Sequence, residues 1–134
     1  MGYYDQDIIK LKGLTLTDIK VFTRDNLGDT QEIIEFVATS GERFHMFHEQ
    51  DCCESVTIDE IIGDLTDLIG DPILLAESVD NLDEIGPIDD RNHESYTWTF
   101  YKLSTIKGNV TIRWYGSSNG YYSEAVTFKQ IIEG

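Results

Sequence analysis

Residues 95–128 carry three runs of aromatic, Thr and β-branched residues parted by glycine turns, a pattern that commits this part of the chain to antiparallel β-structure. In Ser95-Tyr96-Thr97-Trp98-Thr99-Phe100-Tyr101-Lys102-Leu103 the alternation puts Tyr96, Trp98 and Phe100 on one face. Lys107-Gly108 then turns the chain into Val110-Thr111-Ile112-Arg113-Trp114-Tyr115. Asn119-Gly120, the strongest hairpin signal in the sequence, leads into Tyr121-Tyr122-Ser123-Glu124-Ala125-Val126-Thr127-Phe128. These strands are expected to form a C-terminal β-meander.

Upstream, residues 14–23 read as a strand that ends at the turn cluster Asp25-Asn26-Leu27-Gly28-Asp29. Residues 31–39 read as a second strand, which turns at Ser40-Gly41 and returns over 42–48 as a hairpin. The clearest helical period covers 57–69, where Ile58, Ile61, Ile62, Leu65, Leu68 and Ile69 recur at three-and-four spacing. Thr57 and Glu60 fit a capping box, and Gly70-Asp71-Pro72 stops the element, although Gly63 weakens it. Pro72–Ala76 fits a short buried strand, and 77–94 a long acidic surface loop broken by Gly86-Pro87. The expected fold is a single α+β domain over residues 1–134: an antiparallel sheet with one main α-helix packed on it.

Charge narrows the partners. Residues 1–94 hold 23 acids against six Lys and Arg, whereas residues 95–134 hold two acids against four, and the whole chain carries −15. Such a field repels nucleic acid and anionic lipid and draws in basic surfaces. A hydrophobic content of 40% suits a folded globule rather than an acidic tail. No basic segment followed by an apolar stretch opens the chain, and no apolar run reaches membrane-spanning length, so a cytoplasmic protein is expected. Cys52 and Cys53 are neighbours, too close for an ordinary disulfide, and are expected reduced.

The densest cluster of reactive residue types is Phe44–Glu54, with His45, His48, Asp51, Cys52, Cys53 and Glu54. Imidazole, thiolate and carboxylate are all zinc ligands, yet adjacent cysteines on an extended chain face opposite ways and miss the usual ligand spacing. A Cys–His dyad is disfavoured because Asp51 and Glu54 would raise a neighbouring thiol's pKa. The plain reading is one buried cysteine with acids capping the next turn. No phosphate loop, dinucleotide fingerprint, nucleophile elbow or zincin motif occurs, so neither an enzyme nor a cofactor is expected.

On the expected helix, Asp59, Glu60, Asp64 and Asp67 make a carboxylate ridge, continued by Asp80, Asp83, Glu84, Asp89 and Asp90 of the loop. No calcium-loop spacing is present, and solubility alone explains many acidic surfaces. For charge this one-sided, a role in binding a basic protein weighs equally. The aromatic strands could stack bases, but core packing explains them better, because few cations lie near them in sequence.

The run His48-Glu49-Gln50-Asp51-Cys52-Cys53-Glu54 with its flanks Phe44–Val56 and Ile61–Ile73, together with Glu94–Tyr101 and Ile112–Glu124, resembles a family of small phage and prophage proteins without assigned activity. The likeness covers roughly residues 30–128. It implies a viral or mobile-element origin and one compact domain. By analogy with small acidic phage proteins, it points to an inhibitor of a host nucleic-acid-binding or defence protein, for example an anti-CRISPR that mimics nucleic acid. The partner would be a host protein with a basic surface, with no direct contact to nucleic acid or membrane. Two alternatives stand beside it. One is a metal or small-ligand site on His48, Asp51, Cys52, Cys53 and Glu54, serving a nucleotide-signal sponge or a small enzyme. The other is an accessory protein that self-associates through its aromatic strands.

Overall fold

The computed structural model describes residues 2–26, 29–81 and 95–132. Its strands are β1 (Gly2–Asp5), β2 (Leu16–Asn26), β3 (Asp29–Ala38), β4 (Arg43–Phe47), β5 (Ser55–Ile62), β6 (Leu75–Asn81), β7 (Ser95–Thr105), β8 (Gly108–Ser118) and β9 (Thr127–Ile132), with 3-10 turns at Ile8–Leu11 and Leu65–Leu68. One sheet runs β1-β9-β4-β3-β2 and the other β5-β8-β7-β6, and every strand pairing within them is antiparallel. Two sheets therefore replace the expected α+β arrangement, and no α-helix occurs among the described residues.

The expected helix over 57–69 is β5 followed by the Leu65–Leu68 turn. Its helical period has a definite origin. A bulge between Ile58 and Glu60 inserts one residue into β5, so Ile58, opposite Trp114, and Ile61, opposite Ile112, both pack on the core at a spacing of three. A bulge converts the two-residue period of a strand into one that imitates a helix. The β-branched Val56, Thr57, Ile58, Ile61 and Ile62 also favour the extended state, because χ1 freedom is lost against a helical turn. Gly63 then closes the strand at φ +109°, and a Cβ there would sit 2.6 Å from the Asn109 carbonyl oxygen. Asp64 caps the short turn by accepting from the Thr66 amide at 2.9 Å.

The β7–β8 hairpin forms as expected, with Thr105 opposite Gly108. The third strand of the meander does not. Strand β8 already has β5 on one side and β7 on the other, leaving no edge for residues 121–128. Asn119 instead accepts from the Tyr121 amide in a local turn, and the chain crosses to place β9 between β1 and β4 in the other sheet. Phe128 stacks there on Phe44 with ring centroids 5.4 Å apart. Of Pro72–Ala76, Leu75 and Ala76 are strand, as the start of β6, while Pro72 makes an isolated bridge to Thr15 and the buried Ile73 pairs its backbone with Gly13 and Leu14.

The two sheets share one buried cluster. Ile34, Phe36, Phe44, Met46 and Phe128 come from the first, and Val56, Ala76, Leu103, Val110, Ile112 and Trp114 from the second. Leu11, Leu16, Leu68 and Ile73 fill one end. Trp114 donates its indole N–H to the Met46 sulfur at 3.3 Å across the interface. Tyr96, Trp98 and Phe100 do share a face, but it is the outer face of the second sheet, opposite Ser117, Tyr115 and Arg113. There Trp98 packs on Tyr115 at 4.6 Å and under the Arg113 guanidinium at 5.2 Å, apart from the inter-sheet core.

Candidate functional site

The predicted acidic ridge is dispersed. Asp59 and Glu60 sit at the β5 bulge and share Arg113, whose Nε donates to Asp59 at 2.7 Å and whose Nη2 donates to Glu60 at 3.1 Å. Asp64 serves as a cap, and the Thr66 hydroxyl and amide hold its carboxyl below the ordinary range. Asp67 lies against Gly108, and its carbonyl accepts the Thr105 hydroxyl. Asp80 is on β6, the opposite edge of the same sheet from β5. Asp83, Glu84, Asp89 and Asp90 lie outside the described residues.

The His/Asp/Cys/Cys/Glu segment is the crossover from β4 to β5, and it packs beside the crossover from β8 to β9. His48 joins the two: Nδ1 lies 2.6 Å from the Ala125 carbonyl oxygen and Nε2 2.8 Å from Glu54 Oε2. Both partners offer acceptor oxygens, and the two ring nitrogens face one each. Glu54 also accepts the amides of Asp51 at 2.9 Å and Cys52 at 2.8 Å, and the Gln50 side-chain amide at 3.2 Å. Burial pushes its pKa up, but the Cys52 and Asp51 amides and the His48 contact outweigh it and hold the carboxyl at about 2. Asp51, Cys52 and Cys53 are exposed. The two sulfurs are joined as a vicinal disulfide, which corrects the expectation of a reduced pair. The segment is thus organised around the buried His48–Glu54 contact. Among the described residues no group of three or more His, Cys, Asp or Glu is placed to hold a metal ion.

A second polar cluster, absent from the sequence reading, lies on the outer face of the first sheet. The β3–β4 register sets Glu35 opposite His45. Glu35 Oε2 takes His45 Nε2 at 2.9 Å and Arg43 Nη2 at 2.7 Å. Burial alone would raise the Glu35 carboxyl, but His45 and Arg43 outweigh it and bring it below its ordinary value. Burial lowers His45, and the Arg24 and Arg43 charges add to this against the opposing pull of Glu35. The ring is accordingly neutral, with its Nε2 proton on Glu35 and the Tyr3 hydroxyl donating to Nδ1 at 2.9 Å. Tyr3 accepts in turn from Arg24 Nη1 at 3.4 Å.

Tyr3 is on β1 and Arg24 on β2, the two edges of the sheet, so this contact shows the sheet curling until its edge side chains meet over β4. At one end of the trough is a cleft of about 280 Å³ that includes Arg24, Gln31, Phe47, Glu49 and Lys129 in its wall. Gln31 accepts from Arg24 Nε at 3.3 Å and Nη2 at 3.1 Å, and its own amide donates to the His48 carbonyl at 2.9 Å. The Arg24 guanidinium lies 5.6 Å from the Phe47 ring centroid. A preorganised cation beside an aromatic wall can bind and orient an anion. The signal for this cluster was the predicted hairpin itself, since its register decides that Glu35 meets His45 rather than a neighbour.

Over residues 8–128 the chain matches the model of a family described as a domain of unknown function, DUF7448. No curated protein matches the chain, and no solved structure does. No helix among the described residues is long and apolar enough to cross a membrane.

Proposed function

We propose, for a chain that belongs to the DUF7448 family, a non-catalytic binding role in which an acidic surface engages a basic protein. The observation that carries this is how the charges are distributed. Against 25 acids the chain has ten Lys and Arg, and most of the described cations are already held: Arg43 by Glu35, Arg113 by Asp59 and Glu60, Lys107 by Asp71, Lys129 by Asp5 and Glu49. The exposed carboxylates of Asp25, Asp51, Asp64, Glu77 and Asp80 have no ion-pair partner among the described residues. Unneutralised carboxylates on a rigid β-scaffold favour fast, salt-sensitive association with a basic face.

In its specific form the proposal is an inhibitor, of phage type, that occupies the nucleic-acid channel of a host defence protein. The resemblance to phage proteins supports that form. The alternative ligand site at His48, Asp51, Cys52, Cys53 and Glu54 gains nothing from the geometry, because the buried His48 and Glu54 side chains are taken up by each other and by backbone groups.

Affinity capture from host lysate over a salt series tests the role. A captured protein should elute as salt rises and compete with DNA for the immobilised chain. Glu77→Lys combined with Asp80→Lys, on the exposed edge strand β6, should weaken capture about tenfold. Capture indifferent to salt and to both reversals would defeat the proposal.

A further inference from the structure

We propose that the cleft at the curled edge of the first sheet is a binding site for a small monocarboxylate, anchored by Arg24. The guanidinium has five N–H donors. Three are engaged, Nε and Nη2 by Gln31 and Nη1 by the Tyr3 hydroxyl, which leaves two on its terminal nitrogens. Among the described residues no carboxylate reaches Arg24, in a chain with 25 of them.

The geometry is built rather than incidental. Gln31 is buried and uses both ends of its amide, one holding Arg24 and the other held by the His48 carbonyl. Phe47 packs beside the guanidinium, so the cation is fixed in orientation before a ligand arrives. Paired terminal N–H groups match the two oxygens of a carboxylate in one plane. Charge sets the class of anion. The cleft holds Arg24, Lys129 and Glu49, with Lys129 already paired to both Glu49 and Asp5, so the positive charge there that no carboxylate among the described residues meets is that of Arg24. A single carboxylate neutralises it, whereas a phosphate dianion would bring surplus negative charge into a protein of net −15.

The site is tested by ¹⁵N NMR of the full chain titrated with benzoate, and separately with inorganic phosphate and chloride at matched ionic strength. Benzoate should give saturable shifts of the Arg24 Nε–H and the Gln31 side-chain amide, and neither other anion should. Arg24→Lys should weaken benzoate binding about tenfold or more, because the paired donors are lost. Glu49→Gln removes a carboxylate that does not touch Arg24, leaves Arg24 and Gln31 in place with Lys129 still held by Asp5, and should tighten binding severalfold by taking a negative charge out of the cleft wall. Non-saturating shifts, equal binding of phosphate, or no gain in Glu49→Gln would each overturn the assignment.

Discussion

The sharpest quantitative expectation concerns Glu54, whose side chain is wholly buried while accepting from His48, the Asp51 and Cys52 amides and Gln50. These donors hold its carboxyl at about 2 against an ordinary 4.5. That gap corresponds to about 3 kcal/mol of stability. Because the folded value is depressed, the contribution is complete above about pH 5 and disappears as pH falls towards 2. Glu54→Gln keeps the shape but removes the carboxylate charge and replaces one acceptor oxygen with an amide that faces backbone N–H donors. Its cost at pH 7 should be about 3 kcal/mol, in line with leaving buried donors without their charged acceptor. Urea unfolding followed by Trp98 and Trp114 fluorescence, both buried, reads this directly. Between pH 5 and 3 the wild-type protein should lose stability more steeply than the variant, and the two should converge at the acid end. Parallel pH profiles, or a cost below about 1 kcal/mol at neutral pH, would refute the account of the Glu54 pair.

Gly63→Ala should destabilise by about 2 kcal/mol or more, visible as a lowered Tm, because φ +109° is strained for an L-residue and its Cβ would meet backbone at 2.6 Å. His45 should show the ¹⁵N pattern of a neutral ring protonated at Nε2 at pH 7, since its pKa lies below the ordinary 6.5. A depressed histidine contributes stability that is present at neutral pH and lost as pH falls from about 6.5 through the folded value, so His45→Gln should flatten the stability profile in that window.

The strands that were legible in the sequence were those whose signals are local. The β3–β4 and β7–β8 hairpins follow from alternation and glycine turns, although the first closes with the three residues Thr39–Gly41 rather than two, as the Ala38–Glu42 bond and the φ of +96° at Gly41 show. What failed depended on neighbours. The period of three at Ile58 and Ile61 is shared by a helix face and a bulged strand, and only the ladder to β8 distinguishes them. Asn119-Gly120 is a sound turn, but a hairpin also needs an open strand edge, and β5 had taken it.

The same distinction explains the sites. The cluster from His48 to Glu54 stood out because its residue types are those of reactive centres. A tight crossover, however, strands several backbone amides away from any sheet, and those amides need an acceptor. Glu54 supplies it, as the donors from Asp51 and Cys52 show, so the composition reports loop architecture rather than chemistry. Arg24 carried no signal of its own, one arginine among scattered charges. Its meaning comes from standing opposite Gln31 in the β2–β3 register and facing Tyr3 across the curled sheet. A lone cation gains a function only when topology withholds a carboxylate from it, and in a chain so rich in carboxylates that withholding is the informative event.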